Sequence, residues 1–425
     1  MTMDLTVRKE DCISAFQGYL QSSDFIVEGY EVKTSGMTGI TGRYYEISGN
    51  VRFGGEAHEI HLFAKTPPIL RSQRVFVIEY GYFHREIVFY KYVVPDMIDC
   101  LPPGVDLPLP RCTLTRDSLE PGYTPIPGSA EEELIVFDDV THRGFCRMKP
   151  HVMDIQHCRV AIKAMARFHA ASILLNLRID QGNRAKAWSN GAPAPSDQLW
   201  NLDYDRSFVT RSTESTATAV CRMWPERFSS RRGKILASLN EAWLKFHTEA
   251  RTNPKYVKAF IQGDAWRNNF MFSYDKREKP VDAIIVDMQL VQYLPPVYDL
   301  IFFLHVSVRK TFRQQNTMKL LEVYHEELSQ FMSPDLCESV LPLKSLLQSF
   351  EDLESVGPLI SSAYIPKLLE FALDNSIRCD PDDAIGDLLN DRGERIAHYC
   401  EISPLYREWV AESYRECMEV LGFWE

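Results

Sequence analysis

The sequence predicts an α+β protein with an antiparallel, β-rich N-terminal part and a mostly helical remainder. Runs of aromatic and β-branched residues before position 66 are typical of strands, and Gly54-Gly55 separates two of them as a hairpin turn would. Two further strand-like runs surround a polar turn at Asp275. Most other segments carry apolar residues at the three- and four-residue spacing of helices.

The chain has 425 residues, which is enough for two lobes, and a formal net charge of -11. This charge argues against a protein that generally binds nucleic acids or anionic membranes. The N-terminal residues lack the apolar core of a signal peptide, and no apolar run approaches the length of a membrane span. We therefore expect a cytoplasmic protein with neither a nucleic-acid nor a membrane partner.

In chain order, a helix is expected at 11–20, and strands are expected at 26–33, 44–53 and 58–65. A helix at 83–94 follows, then a proline- and turn-rich segment from 95 to 127. A strand at 134–137 precedes a long helix at 154–177, with Asp154 as its N-cap. His169 on that helix is expected to be a buried core residue.

Three glycines lie between the first two strands, namely Gly36, Gly39 and Gly42. Glycines in a strand-turn-strand let the backbone approach a phosphate closely. An ordinary hairpin turn carries glycines too, and the spacing is neither a Walker A motif nor the protein-kinase pattern. Lys65 ends an otherwise apolar strand, which makes it a candidate partner for nucleotide phosphates.

The central stretch of the chain, residues 261–305, contains two apolar runs around the polar turn and predicts a second hairpin. The entrance of the first strand in a hairpin lies opposite the exit of the second, so Asn269 and Asp287 should come within reach of one metal ion. Asp264 precedes Asn269 closely. Carboxylate and amide oxygens suit Mg2+, which points to phosphoryl transfer from ATP with Asp264 as base and Asn269 and Asp287 as metal ligands. A surface hairpin with solvated polar ends explains the spacing equally well.

A specific set of residues favours the catalytic interpretation. Its members are Gly263, Asp264, Trp266, Asn268, Asn269, Met271, Phe272, Val286, Asp287, Gln289, Leu290, Asp299, Phe302, Phe303 and Leu304. This set resembles the catalytic core of the ecdysteroid-kinase-like family, in the choline-kinase and aminoglycoside-phosphotransferase group of the protein-kinase-like fold. The resemblance implies two lobes, 1–139 for nucleotide phosphates and 140–425 for the catalytic loop and the acceptor site, with ATP between them.

The resemblance also implies roles for two residues outside the hairpin. The segment FHREIVFYKYVV is similar to a family helix in which Glu86 would pair with Lys65 and hold its ammonium over the phosphates. Asp299 would steady the catalytic loop from the start of a helix. Two residues depart from the family pattern, because Gln262 stands where His is usual and Met288 where Phe is usual. The amide of Gln262 can still donate a hydrogen bond, so we expect looser positioning with the chemistry retained.

The resemblance implies an ATP-dependent kinase that phosphorylates a hydroxyl of an ecdysteroid or a similar apolar or xenobiotic alcohol, and hence a role in hormone inactivation or detoxification. A choline- or aminoglycoside-type kinase of a polar alcohol is an alternative. A catalytically silent binding protein with the same fold is another, which only Gln262 favours. A protein kinase is disfavoured, because Pro295-Pro296 follows Asp287 too closely for a long activation loop.

Overall fold

The computed structural model describes residues 6–36, 42–69, 73–74, 77, 81–117, 132–148, 153–180, 206–370 and 391–424. The protein has a mixed α+β fold, with an antiparallel sheet in the N-terminal region and a mostly helical remainder, as the sequence predicts. Its residues form two compact units. Unit 1 comprises Met1–Lys149, Arg178–Ala194 and Phe270–Val291, and unit 2 comprises Pro150–Leu177, Pro195–Asn269 and Gln292–Glu425. The functional lobe boundary at residue 139 stays a prediction.

Unit 1 contains a five-stranded antiparallel sheet in the order β1-β2-β3-β5-β4. Its strands are β1 (Phe25–Thr34), β2 (Arg43–Phe53), β3 (Glu56–Thr66), β4 (Cys112–Arg116) and β5 (Leu134–Asp138). β2 and β3 form a hairpin around Gly54-Gly55, whose φ angles of 59° and 86° favour glycine. The predicted strands are confirmed. The prediction missed β4, which lies in the segment interpreted as turn-rich.

Helix α1 (Lys9–Leu20) packs against this sheet through the fully buried Phe16. The ring of Phe16 lies directly over Gly49 in β2, where a Cβ atom would overlap it. The glycine is therefore needed for close approach of helix and sheet.

We expect Gly49→Ala to destabilise the protein by about 1–3 kcal/mol, because Phe16 is held in a packed core and cannot move aside without strain. Urea unfolding followed by circular dichroism measures this loss as a lower midpoint. Gly29→Ala is the matched control, since Gly29 lies in the neighbouring β1 with open space where its Cβ would be. Equal midpoints for the two variants would contradict the packing argument.

The predicted helix at 83–94 is interrupted. It begins as α2 (Tyr82–Val88), widens into a π-helical turn at Phe89–Val93, and continues as α3 (Val94–Ile98). The backbone N–H of Val94 bonds to the carbonyl of Phe89, five residues earlier. Pro95 has no N–H to donate to the previous turn, so a regular α-helical bond is missing where the helix widens. The sequence prediction of one regular helix ending at 94 is corrected accordingly.

The remaining strands form two small sheets. They are β6 (Cys146–Arg147), β7 (Ala259–Ile261), β8 (Phe270–Tyr274), β9 (Pro280–Ile285) and β10 (Gln292–Leu294). In unit 1, β8 and β9 pair antiparallel with Phe270 opposite Ile285, and β6 extends this sheet along β8. The second predicted hairpin is thus confirmed. In unit 2, β7 pairs antiparallel with β10.

Outside these two strands, the described residues of unit 2 are mostly helical. Its helices are α4 (Ile155–Asp180, up to Leu177), α5 (Arg206–Met223), α6 (Pro225–Phe228), α7 (Arg232–Thr252), α8 (Val297–Ser307), α9 (Lys310–Met332), α10 (Pro334–Val340), α11 (Leu343–Leu353), α12 (Val356–Glu370), α13 (Gly393–Ile402) and α14 (Pro404–Val420). Every residue of α8 is buried, so this helix lies inside the core.

Helix α4 begins as predicted, because Asp154 Oδ1 accepts hydrogen bonds from the backbone N–H groups of Gln156 and His157 at 2.9 and 3.0 Å. By length and composition alone, its segment Ile155–Ile179 could cross a membrane, which corrects the expectation that no apolar run approaches that length. However, 72% of its most apolar window is buried within the protein. This degree of burial is typical of a core helix.

Candidate active site

Unit 1 places three of the predicted site residues in one cluster. The Nζ atom of Lys65, near the end of β3, lies 2.8 Å from Glu86 Oε2 and 2.9 Å from Asp287 Oδ1. Lys65 and Glu86 are buried, with 4% and 1% of their surface exposed. The pairing of Lys65 with Glu86 that the resemblance implied is present, while its role toward a nucleotide stays a prediction.

The charge of Lys65 is maintained by its neighbours. Burial lowers the pKa of this ammonium, but the carboxylates of Asp287 and Glu86 raise it by more, so its pKa lies above the ordinary value. Lys65 therefore remains a cation at neutral pH. A buried cation that is held by two carboxylates can also bind the oxygens of a phosphate.

Helix α2 holds the chain segment that follows Asp287. Glu86 Oε1 accepts a hydrogen bond of 3.0 Å from the backbone N–H of Met288, and Arg85 Nη1 donates one of 2.8 Å to the carbonyl of Gln289. Both contacts use the backbone of the chain after Asp287, so neither depends directly on whether residue 288 is Met or the Phe that the resemblance implied.

Asp287 itself has a left-handed backbone conformation with φ 63° and ψ 77°. Such a conformation is costly for a non-glycine residue and is found most often at functional sites. The side chain is 34% exposed, which lets a solvated ion reach it. Asp287 is therefore held in place by its neighbours with its carboxylate accessible.

Unit 2 contains Asp264, the predicted catalytic base, and Asn269, one of the predicted metal ligands. Asn269 Nδ2 donates hydrogen bonds of 2.9 Å to the carbonyl oxygen and to Oδ2 of Asp264. Both bonds use the amide nitrogen, so neither uses the amide oxygen, which is the atom that binds hard cations. The expectation that Asn269 and Asp287 share one metal ion stays a prediction, because the two residues belong to different units.

The loop that carries Asp264 is anchored from α8. Asp299 accepts hydrogen bonds from the backbone N–H groups of Gln262 and Gly263 at 2.7 and 2.9 Å. The ring of His169 contacts the same carboxylate at 3.2 Å and the hydroxyl of Tyr324 at 2.9 Å. His169 is thus the satisfied core residue that we expected, and Asp299 has the anchoring contacts that the resemblance implied.

Gln262 contributes directly to this loop. It is fully buried, and its Oε1 accepts a hydrogen bond of 2.7 Å from the backbone N–H of Asp264. The expectation that the amide nitrogen of Gln262 donates a hydrogen bond stays a prediction. A neutral imidazole also has an acceptor nitrogen, so a histidine at this position is able to accept from the same N–H.

We expect Gln262→His to change the transfer rate modestly, by less than about 10-fold in either direction, because both side chains can accept from Asp264 N–H. Steady-state kinetics with a saturating acceptor measures the effect. A gain of several orders of magnitude would instead show that the natural protein is nearly inactive and would favour a binding protein.

The predicted glycine turn is only partly described. Gly39 lies outside the described residues, and Gly36 has open space at its Cβ position. Gly42 packs closely against β3, since a Cβ there would lie 3.3 Å from Lys65 Cγ. The backbone thus approaches the lysine at Gly42, and the assignment of all three glycines to phosphate binding stays a prediction.

Comparison with known protein families matches residues 40–334 to the Ecdysteroid kinase-like family, which is more than half of the chain. The chain belongs to the ecdysteroid kinase-like family. Among the curated proteins, none matches it. Membership of this family indicates a small-molecule kinase-like enzyme, and a kinase-like family in general implies a nucleotide and a divalent metal ion.

The residues of this ecdysteroid kinase-like protein fit such ligands. Lys65 is a buried cation suited to phosphate oxygens, and Asp287 offers an accessible carboxylate to a hard cation. Asn269 keeps its amide oxygen out of both of its hydrogen bonds to Asp264. The assignment of Asn269 and Asp287 to Mg2+ and of Lys65 to a phosphate group stays a prediction.

Two residues of this family member were missed by the sequence analysis. Arg85 is 2% exposed and positions Gln289, but a buried arginine on a helix has no local sequence signal. Lys367 in α12 interacts electrostatically with Asp264, and no motif marks it either. Both interactions join residues that are distant in the chain, so only the folded structure reveals them.

Proposed function

We propose that this protein is an ATP-dependent phosphotransferase that moves the γ-phosphate of ATP to a hydroxyl of an ecdysteroid or a similar apolar or xenobiotic alcohol. The observation that carries the proposal is the buried Lys65 held between Glu86 and Asp287. A buried cation beside an accessible carboxylate is an arrangement that is frequent at functional sites. Membership of the family supports the same chemistry.

The proposed reaction assigns a role to each residue. Asp264 orients the acceptor hydroxyl and takes its proton as the oxygen forms a bond to the γ-phosphorus. The bond between that phosphorus and the β-γ bridging oxygen breaks, and ADP leaves. Lys65 binds phosphate oxygens, and Glu86 fixes the position of its ammonium. When bound to Asn269 and Asp287, Mg2+ would neutralise charge on the phosphates.

The apolar character of the acceptor is proposed from the family. A choline-type kinase of a polar alcohol and a silent binding protein are the alternatives, and neither has a specific observation in its favour beyond Gln262. All three differ in what they do with ATP and an acceptor, so one experiment separates them.

The experiment measures ATP consumption by the purified protein with Mg2+ and a panel of hydroxylated acceptors, which includes an ecdysteroid, a plant phenolic and choline. Mass spectrometry checks each product for an added phosphate. Transfer to the ecdysteroid or the phenolic supports the proposal, and transfer to choline alone supports the polar alternative. Absence of transfer together with absence of Mg-dependent ATP binding would refute a kinase and leave the binding protein.

A further inference from the structure

A cavity in unit 2 has chemistry that the proposed reaction does not use. It lies among α5, α12, the start of α13 and α14, and encloses about 30 Å³. Its basic lining residues are Arg211, Lys367 and Arg392, and its hydroxyl-bearing lining residues include Ser215, Thr216 and Tyr414. No carboxylate lines it among the described parts of the chain. We call it the α5–α12 cavity.

Several donors that face this cavity lack partners. Arg211 Nη1, Arg392 Nε and the hydroxyl of Tyr414 are buried and make no hydrogen bond within the described residues. Tyr414 is fully buried. Buried donors without partners cost free energy, so their convergence on one cavity indicates that a ligand or ordered water satisfies them.

The positive charge around the cavity is only partly compensated. Arg392 forms an ion pair with Glu370, which also contacts Arg395 and the hydroxyl of Tyr406. This carboxylate is therefore shared among several donors. Arg392 uses Nη2 for the ion pair, which leaves Nε as one of the unsatisfied donors.

Lys367 shows the same deficit of negative charge. Burial lowers the pKa of this ammonium to about 8, and the charge of Arg392 lowers it as well, although Asp264 and Glu370 act in the opposite direction. A bound anion would stabilise the charged form of Lys367. Lys367 also interacts electrostatically with Asp264, the residue to which we assign proton transfer, and this interaction links the cavity to the proposed acceptor site.

We propose that the α5–α12 cavity binds an oxyanion that belongs to the acceptor, which narrows the proposed acceptors to those xenobiotic alcohols that also carry a carboxylate, sulfate or phosphate group. Two arginines, a lysine and hydroxyl groups are the donors that recognise such anions. A volume of about 30 Å³ admits a small terminal group and excludes a whole acceptor. The part of the proposal that concerns the acceptor rests on the proposed function, whereas anion binding by the cavity does not. Of its lining, Ser362, Lys367, Arg392 and Tyr414 lie beyond the residues that match the family.

The first arm of the test measures anion binding without catalysis. Calorimetry with the full chain uses sodium sulfate and, separately, sodium benzoate as probes. We expect binding by the natural protein and a loss of about 10- to 100-fold in affinity in Arg211→Gln and in Lys367→Met, because each removes a charge-assisted hydrogen bond. Arg222→Gln is the control, since Arg222 lies on the same α5 but is 62% exposed and pairs with Glu394. Thermal unfolding verifies that each variant is folded, and Lys367→Met should fold because it removes a partly buried, poorly compensated charge.

The second arm measures transfer to a hydroxylated aromatic carboxylate and to its methyl ester. We expect a KM for the acid that is about 10-fold or more below that of the ester, and a loss of this preference in Lys367→Met. Equal KM values with normal transfer would overturn the acceptor assignment and leave the kinase intact. Anion binding with no transfer to either compound would count against the proposed function but not against the cavity.

Two further outcomes separate the sources of the anion. If sulfate binds and changes the rate of transfer to the ester while acid and ester have equal KM values, the ligand is a free anion and the acceptor assignment is wrong. If neither sulfate nor benzoate binds, or if all variants bind them as the natural protein does, the cavity holds only ordered water and the proposal fails.

Discussion

Asp264→Asn is expected to lower kcat for phosphoryl transfer by about 100- to 10,000-fold while ATP binding stays close to that of the natural protein. The carboxylate of Asp264 is the proposed proton acceptor, and an amide of the same shape cannot take the proton at neutral pH. The amide oxygen can still accept the hydrogen bond from Asn269 Nδ2, which the carboxylate accepts at 2.9 Å, so the loop should keep its conformation. The loss is therefore expected in kcat with little change in nucleotide affinity.

Single-turnover kinetics and calorimetric titration with ATP and Mg2+ measure these two quantities separately. Asp275→Asn is the matched control, because Asp275 lies in the turn between β8 and β9 and its carboxylate accepts hydrogen bonds from the nearby backbone N–H groups of Arg277 and Lys279. We expect that variant to keep its rate. Equal turnover in Asp264→Asn and in the natural protein would remove Asp264 from the role of base.

The sequence alone predicts the parts of this fold that depend on local pattern. The β2–β3 hairpin follows from alternating residues around Gly54-Gly55, and the β8–β9 hairpin from two apolar runs around a polar turn. Each pairs segments that are near in the chain, so the turn chemistry fixes the register. The π-helical turn was not predicted, because the hydrophobic spacing before Pro95 is the same for a regular helix.

The site required more than local pattern. The contacts of Lys65 with Glu86 and of Asp299 with the loop before Asp264 join distant segments, and only the family resemblance pointed to them. The contact of Lys65 with Asp287 was found in the structure alone. The α5–α12 cavity is harder still to predict from the sequence, because its walls come from four parts of the chain and partly lie beyond the family match. Side chains that converge in this way leave no periodic signal in the sequence.

Asp287→Asn is expected to weaken Mg-dependent ATP binding strongly. The expected loss exceeds the roughly 10- to 100-fold in metal affinity that follows when a residue that supports a metal ligand is removed. The substitution removes a charged ligand from a hard cation, which prefers carboxylate oxygen to amide oxygen. It also removes one of the two carboxylates that raise the pKa of Lys65, but Glu86 remains 2.8 Å from the ammonium and should keep it charged. Phosphate binding by Lys65 should therefore persist, and the loss should be confined to the metal-dependent part.

Calorimetric titration of the protein with ATP, once with Mg2+ present and once with EDTA present, measures the metal-dependent part of the affinity. In the natural protein the affinity with Mg2+ should exceed the affinity with EDTA, and in Asp287→Asn the two should converge toward the value with EDTA. Asp282→Asn is the matched control, because Asp282 lies on the same β9 and its Oδ1 accepts from the next backbone N–H. An unchanged difference between Mg2+ and EDTA in Asp287→Asn would show that Asp287 is not a metal ligand. The strained backbone of Asp287 would then require another explanation, for which its contact with Lys65 is the remaining candidate.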